Sequence, residues 1–220
     1  MTIAERALEF VKDGDVVGLG TGRAASAFVR ALGARVRAGL RIRGIPTSQV
    51  TKALAQELSI PLTTVDAVES IDIAVDGADE VDPDLNLIKG YGGALVREKI
   101  VAAAARKFIV LVGTEKLVSV LGERGRLPVE VVPFGVATCC RHLRALSCDP
   151  IPRETDFGVF LSDNGNAIID CAISTIPALA QFEQDLLSIP GVVDSGLFVG
   201  MAPTVLVQDG ENVRVLQSSE

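Results

Sequence analysis

Residues 16–36 read VVGLGTGRAASAFVRALGARV, three different patterns in direct succession. The apolar beginning, VVGLG, is typical of a buried β-strand, and the glycines after it predict a loop. The remainder, AASAFVRALGARV, has the spacing of an amphipathic helix, because its apolar residues return every three or four positions. The segment therefore predicts a strand, a glycine loop and a helix, which is the repeating unit of an α/β protein.

The alternation of strands and helices continues on both sides of this segment. Thr2 and Glu5 have the spacing of a capping box, ahead of a helix that the pattern ends at Asp13. Six further segments read as strands or helices: strands RIRGI (41–45), PLTTV (61–65), IDIAV (71–75) and FIVLVG (108–113), and helices 49–58 and 93–105. This alternation predicts a mostly parallel sheet covered by helices on both faces.

From about residue 126 the rhythm changes. The predicted elements are strand VEVV (129–132), a helix near 135–146, strands FGVFLS (157–162) and AIIDCAI (167–173), a helix near 177–188 and a strand near 192–199. This βαββαβ order predicts a small domain of its own. The tail reads as a hairpin, TVLVQ and NVRVLQ, that returns to the first sheet. We therefore predict a first domain of residues 1–125 and 200–220 and a second domain of residues 126–199.

The composition limits the possible functions. The chain has 220 residues, of which 48% are hydrophobic, enough for a sizeable core. Its formal net charge of −7 disfavours binding to nucleic acid or to an anionic membrane, so a bound phosphate would have to be small and held locally. The longest run without a charged residue, from Ser195 to Gln208, is too short to cross a bilayer, and the N-terminus does not resemble a signal peptide. We therefore expect a soluble, cytoplasmic protein.

The cysteines and the histidine do not suggest a metal site. The four cysteines, at positions 139, 140, 148 and 171, form no CxxC pair and are expected to be buried apolar side chains. The single histidine, His142, lies in a predicted helix, where a solvated or capping role is expected. The cysteines and the histidine therefore give no reason to expect a metal site built from Cys or His ligands.

Ligands of open α/β sheets bind beyond the carboxyl ends of the parallel strands, where three loops are expected. The first is GLGTGRA (18–24), whose glycines let backbone N–H groups approach an anion at the start of the next helix. A tight turn without a ligand remains open. Gly20 to Ala25 also fits the dinucleotide pattern GxGxxA, but no acidic residue ends the second strand to hold a ribose, which disfavours NAD.

The second and third loops are rich in charge. The second, DGADE (76–80), follows strand IDIAV, and its carboxylates could accept hydrogen bonds from sugar hydroxyls or hold a divalent metal. The third, KGYGG (89–93), offers a positive charge and space for a substrate ahead of a helix that carries Glu98, or is a plain glycine-rich helix entry. Glu80, Asp82 and Asp84 are expected to face solvent, because Asp-Pro-Asp is typical of a turn.

These motifs resemble the ribose-5-phosphate isomerase A family. The resemblance runs in order along almost the whole chain through GLGTG, DGADEVD, LIKG followed by REK, GTEKLV, LPVEVVPF, DNGN and PGVVDSGLF. It implies a Rossmann-like α/β domain with a ferredoxin-like α+β lid, a homodimer or homotetramer, and no cofactor. It also implies the interconversion of ribose 5-phosphate and ribulose 5-phosphate through an enediolate, in the non-oxidative branch of the pentose phosphate pathway.

The resemblance also implies roles for individual residues. Glu98 would transfer the proton, and Asp76, Asp79 and Lys89 would contact the sugar. The positions implied to bind the substrate are Thr21, Gly22, Arg23, Ala24, Asp76, Gly77, Ala78, Asp79, Lys89, Gly90, Tyr91, Gly92 and Lys116. Partial desolvation of a glutamate beneath a glycine loop would raise its pKa toward the operating pH, where a base both accepts and returns a proton well.

The chain departs from the family pattern at two places. The family usually has Ser-Thr after GTG, where this chain has Arg23 and Ala24, and Tyr91 stands where glycine is expected. A guanidinium can make two charge-assisted hydrogen bonds to a phosphate, so we hypothesise that Arg23 compensates for the missing hydroxyls. The alternative is an arginine that turns outward into solvent.

Two other functions remain open from the sequence. An amino-sugar phosphate deaminase-isomerase on the same scaffold would be expected to use a catalytic histidine, and His142 lies in the predicted lid. A non-catalytic phosphosugar sensor would normally carry a DNA-binding segment, for which the length and the charge leave no room.

Overall fold

The computed structural model describes residues 1–173, 176 and 178–217. Within them lie six α-helices: α1 Ile3–Leu8, α2 Arg23–Arg37, α3 Gln49–Glu57, α4 Leu95–Ala104, α5 Val136–Ala145 and α6 Leu179–Leu187. The same residues form fifteen strands: β1 Val16–Leu19, β2 Arg43–Pro46, β3 Ile73–Gly77, β4 Glu80–Val81, β5 Leu87–Ile88, β6 Phe108–Gly113, β7 Leu127–Val131, β8 Asp149–Pro152, β9 Glu154–Thr155, β10 Gly158–Val159, β11 Ala167–Ala172, β12 Val192–Ser195, β13 Leu197–Phe198, β14 Thr204–Asp209 and β15 Asn212–Leu216. The predicted helix start at 177 and the last three residues of the predicted first domain lie outside the described residues.

The first unit contains residues 1–78, 97–116 and the chain from Met201 onward. Its sheet has the strand order β15-β14-β6-β3-β1-β2. The five strands from β14 to β2 pair in parallel, and β15 joins the edge as the antiparallel arm of the predicted hairpin. Strand β1 is buried along its whole length, as expected for a parallel sheet covered on both faces. The predicted α/β class is confirmed.

The two chain ends of the first unit are tied together. The capping box of α1 is present, because Oγ1 of Thr2 accepts the N–H of Glu5 and the Glu5 carboxylate accepts the N–H of Thr2. The backbone N–H of Ile3 donates to Oε1 of Gln208 in β14, at 2.7 Å. Helix α1 ends earlier than predicted, because Phe10 and Val11 bond to carbonyls three residues back instead of four.

One predicted strand of the first unit is absent. Segment PLTTV (61–65) makes only a single parallel bridge, between Leu62 and Gly44. The N–H of Gly44 donates to Pro61 and the N–H of Thr63 donates to Gly44, and a 3₁₀ turn begins at Val65. The prediction was wrong because the apolar pattern of this segment resembles that of a strand. In the structure, the 3₁₀ turn at Val65 ends its pairing with Gly44 after one bridge.

Helix α4 packs against β1 at a position where only glycine fits. A Cβ atom at Gly18 would lie 2.4 Å from Cγ1 of Val101 in α4 and 3.1 Å from Cβ of Ala74 in β3. Val101 is buried in this contact. Because Glu98 lies one turn before Val101 in the same helix, the approach at Gly18 also fixes the position of Glu98 over the sheet.

The second unit contains residues 79–96 and 117–200. Its four-stranded antiparallel sheet has the order β12-β7-β11-β8, with α5 after the first of its strands along the chain and α6 after the third. This is the predicted βαββαβ arrangement, but its second strand is β8. Segment FGVFLS instead contributes β10 to an exposed two-stranded hairpin with β9. Pro150 and Pro152 hid β8 from the pattern, and proline is tolerated there because β8 is an edge strand.

The division between the units differs from the predicted boundary at residue 126. Strands β4 and β5 pair in a small sheet with β13, which follows the four-stranded sheet along the chain. This pairing places residues 79–96 in the second unit. All four cysteines are buried free thiols of that unit's core, as predicted, and His142 is exposed. In the part of the chain that the structure describes, no helix combines the length and the apolar surface needed to cross a bilayer.

Gly18→Ala should destabilise the protein, because the added Cβ would meet Val101 and Ala74 in a packed core. Overpacking of this kind typically costs about 1–3 kcal/mol, which chemical denaturation would detect as a lower midpoint. Gly135→Ala is the matched control, since its Cβ would lie at an ordinary 3.6 Å from Sγ of Cys139. Equal midpoints for the two variants would contradict the close packing of α4 on β1.

Candidate active site

In the first unit, the loop after β1 is shaped by Asp76 at the end of β3. A Cβ atom at Gly20 would lie 2.2 Å from the carboxyl carbon of Asp76, so this position requires glycine. Oδ1 of Asp76 accepts the N–H of Thr21 at 3.1 Å and the N–H of Gly77 at 2.7 Å. Asp76 is only 3% exposed. The structure therefore brings the first two predicted loops together around one buried carboxylate.

The hydroxyl of Thr21 belongs to a cluster that the sequence did not predict. This hydroxyl cluster consists of Thr21, Thr47, Ser48 and Thr51, whose side-chain oxygens lie 2.8 to 3.2 Å from Thr21 Oγ1. Thr47 and Thr51 are anchored in turn by the carbonyls of Leu19 and Gly20. The available signal was position, because Thr47 and Ser48 follow β2, the strand adjacent to β1, at the same edge of the sheet.

The start of α2 completes this part of the site. Gly22 has a φ of 107°, which favours glycine, and it provides no side-chain cap for the helix. Arg23 is exposed and Ala24 is half-buried, with the Ala24 methyl group 3.8 Å from the position of a Cβ on Gly77. The first turn of α2 therefore lies beside Gly77.

Three further predicted residues of the first unit have different surroundings. Glu98 lies in α4 and is only 4% exposed. Lys116 is half-buried in the 3₁₀ turn that follows β6, and β6 is the neighbour of β3 in the sheet. Ala78 is half-buried directly after Gly77. The structure thus places Lys116 at the same sheet edge as Asp76. It also buries Glu98, as expected for a glutamate that is partly desolvated.

In the second unit, the KGYGG loop (Lys89–Gly93) follows β5 and is held by Asp79. The N–H of Asp79 donates to Ile88, and Oδ2 of Asp79 accepts the N–H of Tyr91 at 3.0 Å. Lys89 is 2% exposed, and its Nζ lies 5.5 Å from the centroid of the Phe198 ring. Gly90 has a φ of 102°, and Gly92 is exposed. Asp79, Lys89 and the loop glycines therefore form one local structure.

Tyr91 is built into this unit by two arginines that the sequence did not single out. The guanidinium of Arg126 lies 4.0 Å from the ring centroid of Tyr91, whose hydroxyl donates to the Arg126 carbonyl at 3.2 Å. Nη1 of Arg153 donates to the Tyr91 carbonyl at 3.0 Å. Both arginines pair with Asp170. No local pattern could have found them, because they are far from Tyr91 along the chain.

Two carboxylates that were expected to face solvent are buried. Glu80 is fully buried and accepts the N–H groups of Gly122 and Arg124, at 2.7 and 2.9 Å. Burial raises the pKa of Glu80, against the opposite effect of these two amides. Asp82 is 7% exposed, and its carboxylate accepts two hydrogen bonds from Asn86. Only Asp84 is exposed as predicted.

The described residues contain no group of three or more His, Cys, Asp or Glu side chains placed to hold a metal ion. What they offer instead is a set of buried charged groups and backbone amides. Asp76, Lys89 and Glu98 are each less than 5% exposed. Groups of this kind can accept, donate and transfer protons to a small polar ligand.

Comparison with known proteins gives one consistent result. The family model described as ribose 5-phosphate isomerase A (phosphoriboisomerase A) matches residues 43–212. The ribose-5-phosphate isomerase A of Roseiflexus castenholzii is 48% identical over 217 residues, which cover 97% of this chain and 93% of that protein.

Solved structures agree. The ribose 5-phosphate isomerase A of Methanocaldococcus jannaschii has a TM-score of 0.94 at 43% identity, covering 98% of this chain and 96% of that one. A D-ribose-5-phosphate isomerase in complex with phospho-erythronic acid has a TM-score of 0.95 at 41% identity, with the same coverage of 98% and 96%. The similarity therefore extends over both units.

The phenol of Tyr91 should titrate at a higher pH in the folded protein than in the unfolded chain. Burial raises its pKa above the ordinary 10.0, and the carboxylates of Glu80 and Asp79 act in the same direction. The neutral phenol is then favoured in the folded state, so its contribution to stability is present below pH 10 and is lost as the pH rises through the raised pKa.

Tyrosinate absorbance measures this residue alone, because the chain has one tyrosine and no tryptophan. The titration is recorded with and without denaturant. An absorbance rise at the same pH under both conditions would contradict the burial of the phenol.

Proposed function

The chain belongs to the ribose 5-phosphate isomerase A family, and on this premise we propose that it interconverts ribose 5-phosphate and ribulose 5-phosphate. The observation that carries the proposal is the match over 97% of the chain, at 48% identity, to a relative of that name. The reaction moves a proton from C2 to C1 of the open-chain sugar through an enediolate. It therefore requires a base, donors for an oxyanion, and groups that hold the open sugar.

We propose Glu98 as the base. Glu98 is 4% exposed and lies in a helix that is fixed on the sheet at Gly18. A base that takes a proton from one carbon and returns it to the next has to stay close to both, which a carboxylate on a rigid helix allows. A positioned base typically contributes about 10² to 10⁴ in rate.

Lys89 and the amides of the KGYGG loop are the proposed donors for the enediolate oxygen. Lys89 is buried, and a positive charge in a site that excludes water stabilises a developing anion more than the same charge in solution. A well-aimed donor is worth roughly 3 to 4 kcal/mol in this role. Gly90, Tyr91 and Gly92 would contribute backbone contacts to the substrate.

Asp76 and Asp79 are proposed to accept hydrogen bonds from sugar hydroxyls and to help open the ring. Each already holds backbone amides, Asp76 those of Thr21 and Gly77 and Asp79 that of Tyr91, so their carboxylates have fixed orientations. Fixed acceptors hold the acyclic sugar with little loss of side-chain entropy. Gly77 and Ala78 would line the same contact with backbone atoms.

The phosphate is proposed to bind at the start of α2. Gly22 leaves the first-turn N–H groups without a side-chain cap, and an anion is favoured at a helix N-terminus. Thr21, Arg23 and Ala24 would contact the phosphate there, and Lys116 would add a positive charge from the neighbouring loop. We further propose, from family membership, a cytoplasmic homodimer or homotetramer that works without a cofactor, in the pentose phosphate pathway.

The alternative functions have no observation in their favour. His142 is exposed in the last turn of α5, in the second unit, and is not a candidate for the catalytic histidine of a deaminase-isomerase. The relatives reported above are named as isomerases, which does not favour a non-catalytic sensor.

Glu98→Gln should lower kcat by at least about 100-fold and leave substrate binding largely intact, because glutamine keeps the shape but cannot take the proton. The assay follows ribulose 5-phosphate formed from ribose 5-phosphate in the presence of a chelator. Glu57→Gln is the matched control, an identical change on the exposed side of α3. Absence of turnover by the wild type would refute the proposed function, and near wild-type kcat for Glu98→Gln would refute the role of Glu98.

Arg23→Ala should raise KM for ribose 5-phosphate about tenfold or more, with kcat less affected, if the guanidinium meets the phosphate. For unphosphorylated ribose the effect should nearly vanish, since the lost contact is to the phosphate. Arg30→Ala, at an exposed position later in α2, is the control. Equal losses on both sugars would indicate a distorted loop, and unchanged kinetics would place Arg23 in solvent.

A further inference from the structure

Arg153 is a largely buried arginine with a fixed orientation. It lies between β8 and β9, and its side chain is only 13% exposed. Nε donates to Oδ2 of Asp170 at 2.8 Å and Nη2 donates to Oδ1 at 2.6 Å, a bidentate ion pair. Such a pair fixes the plane of the guanidinium as well as its position.

The fixed guanidinium reaches the KGYGG loop with its remaining N–H groups. Nη1 donates to the carbonyl of Tyr91 at 3.0 Å, and Nη2 lies 3.5 Å from the carbonyl of Gly90. The Phe160 ring packs on the same loop, because a Cβ at Gly93 would lie 2.6 Å from it, and the Arg153 guanidinium is 5.4 Å from that ring. Arg153 is thus one polar attachment of the loop, in addition to Asp79, which accepts the Tyr91 N–H, and to the turn bond from the Gly93 N–H to the Gly90 carbonyl at 2.9 Å.

These contacts determine which way the loop amides point. In a trans peptide the N–H is directed opposite to the C=O. The Gly90 carbonyl faces Arg153, and the N–H of the same peptide, that of Tyr91, donates to Asp79. The Tyr91 carbonyl also faces Arg153, so the N–H of Gly92 is directed away from the guanidinium. Gly92 is exposed and has no side chain to shield this donor.

We propose that Arg153, held by Asp170, is a positioning residue for the substrate loop: it orients the peptide between Tyr91 and Gly92 so that the Gly92 N–H donates to an anionic or hydroxyl oxygen of the phosphosugar. The inference rests on the proposed function for the identity of the ligand. It concerns a residue about sixty positions away along the chain, which does not itself touch the substrate.

Arg153→Lys tests the proposal with the charge retained. A lysine can keep one contact to Asp170 but cannot also hold the Tyr91 carbonyl in a fixed plane. We expect kcat/KM for ribose 5-phosphate to fall about tenfold or more in Arg153→Lys. The thermal midpoint of this variant should differ from that of the wild type by much less than the midpoint of Arg153→Ala does. Arg141→Ala, an exposed arginine of the same unit, is the matched control and should keep wild-type kinetics.

Rescue of Arg153→Ala by added guanidinium ion distinguishes an effect on the orientation of the loop from an effect on the stability of the fold. Added guanidinium ion, at a concentration too low to denature, should restore part of the kcat/KM of Arg153→Ala, whereas potassium chloride at equal ionic strength should not. Unchanged kinetics of Arg153→Lys would overturn the proposal. The proposal would also be overturned if kcat/KM of this variant equals that of the wild type after correction for the fraction of folded protein. If Arg153→Ala does not fold, Arg153→Lys and Asp170→Asn decide the matter, since both should lower kcat/KM.

A binding titration keeps the inference independent of turnover. Tyr91 is the only tyrosine and the chain has no tryptophan, so tyrosine fluorescence reports on the KGYGG loop, in which Tyr91 lies. In a Glu98→Gln background, ribose 5-phosphate is titrated with and without Arg153→Lys, and the Kd should rise about tenfold or more with the second change. An equal Kd in both would overturn the proposal even if the isomerase activity is confirmed. A wild type that binds but does not isomerise would refute the proposed function alone.

Discussion

The site of the first unit depends on the buried carboxylate of Asp76. Removing an anion from water is tolerated only where hydrogen-bond donors replace the lost hydration, and the amides of Thr21 and Gly77 are such donors. The same closeness excludes any side chain at Gly20. One carboxylate therefore fixes the backbone of the loop after β1 at Thr21. The Thr21 hydroxyl joins the hydroxyl cluster, which the carbonyls of Leu19 and Gly20 also hold.

A second carboxylate has a corresponding role in the second unit. Asp170 pairs with Arg153 and Arg126, and these two arginines hold Tyr91 by its carbonyl and its ring. The glycines of each loop allow an unusual backbone conformation. An aspartate elsewhere in the chain, Asp76 in one unit and Asp170 in the other, then restricts the loop to one conformation. A bulky tyrosine is accepted at position 91 because its ring packs between the Arg126 guanidinium and the core of the unit.

The sequence was most informative where physical constraints are local. The helical period of α2, the capping box at Thr2 and the buried strand β1 depend on neighbours a few residues apart, and all three form. Strand β8 was missed because its two prolines oppose the usual strand pattern, and only its place at the sheet edge makes them acceptable. The burial of Glu80 was missed because its partners, the amides of Gly122 and Arg124, lie more than forty residues away.

The candidate site divides in the same way. The motifs that contain Asp76, Asp79, Lys89 and Glu98 could be read directly, and all but Asp79 are buried. The hydroxyl cluster and the Arg153–Asp170 pair could not, because hydroxyls and arginines are common on surfaces and only the folded chain shows what they contact. Their roles depend on distance in space, for which a single sequence has no direct signal.

The order of strands in the first sheet has a consequence for biosynthesis. Strand β14 lies between β6 and β15 and carries Gln208, which accepts the N–H of Ile3. The first unit can therefore close its sheet and secure its N-terminal helix only after the last strands have emerged from the ribosome, whereas every strand of the second unit precedes residue 200. During translation the edge of β6 stays without its neighbour, a period in which unpaired strand edges are most open to wrong association.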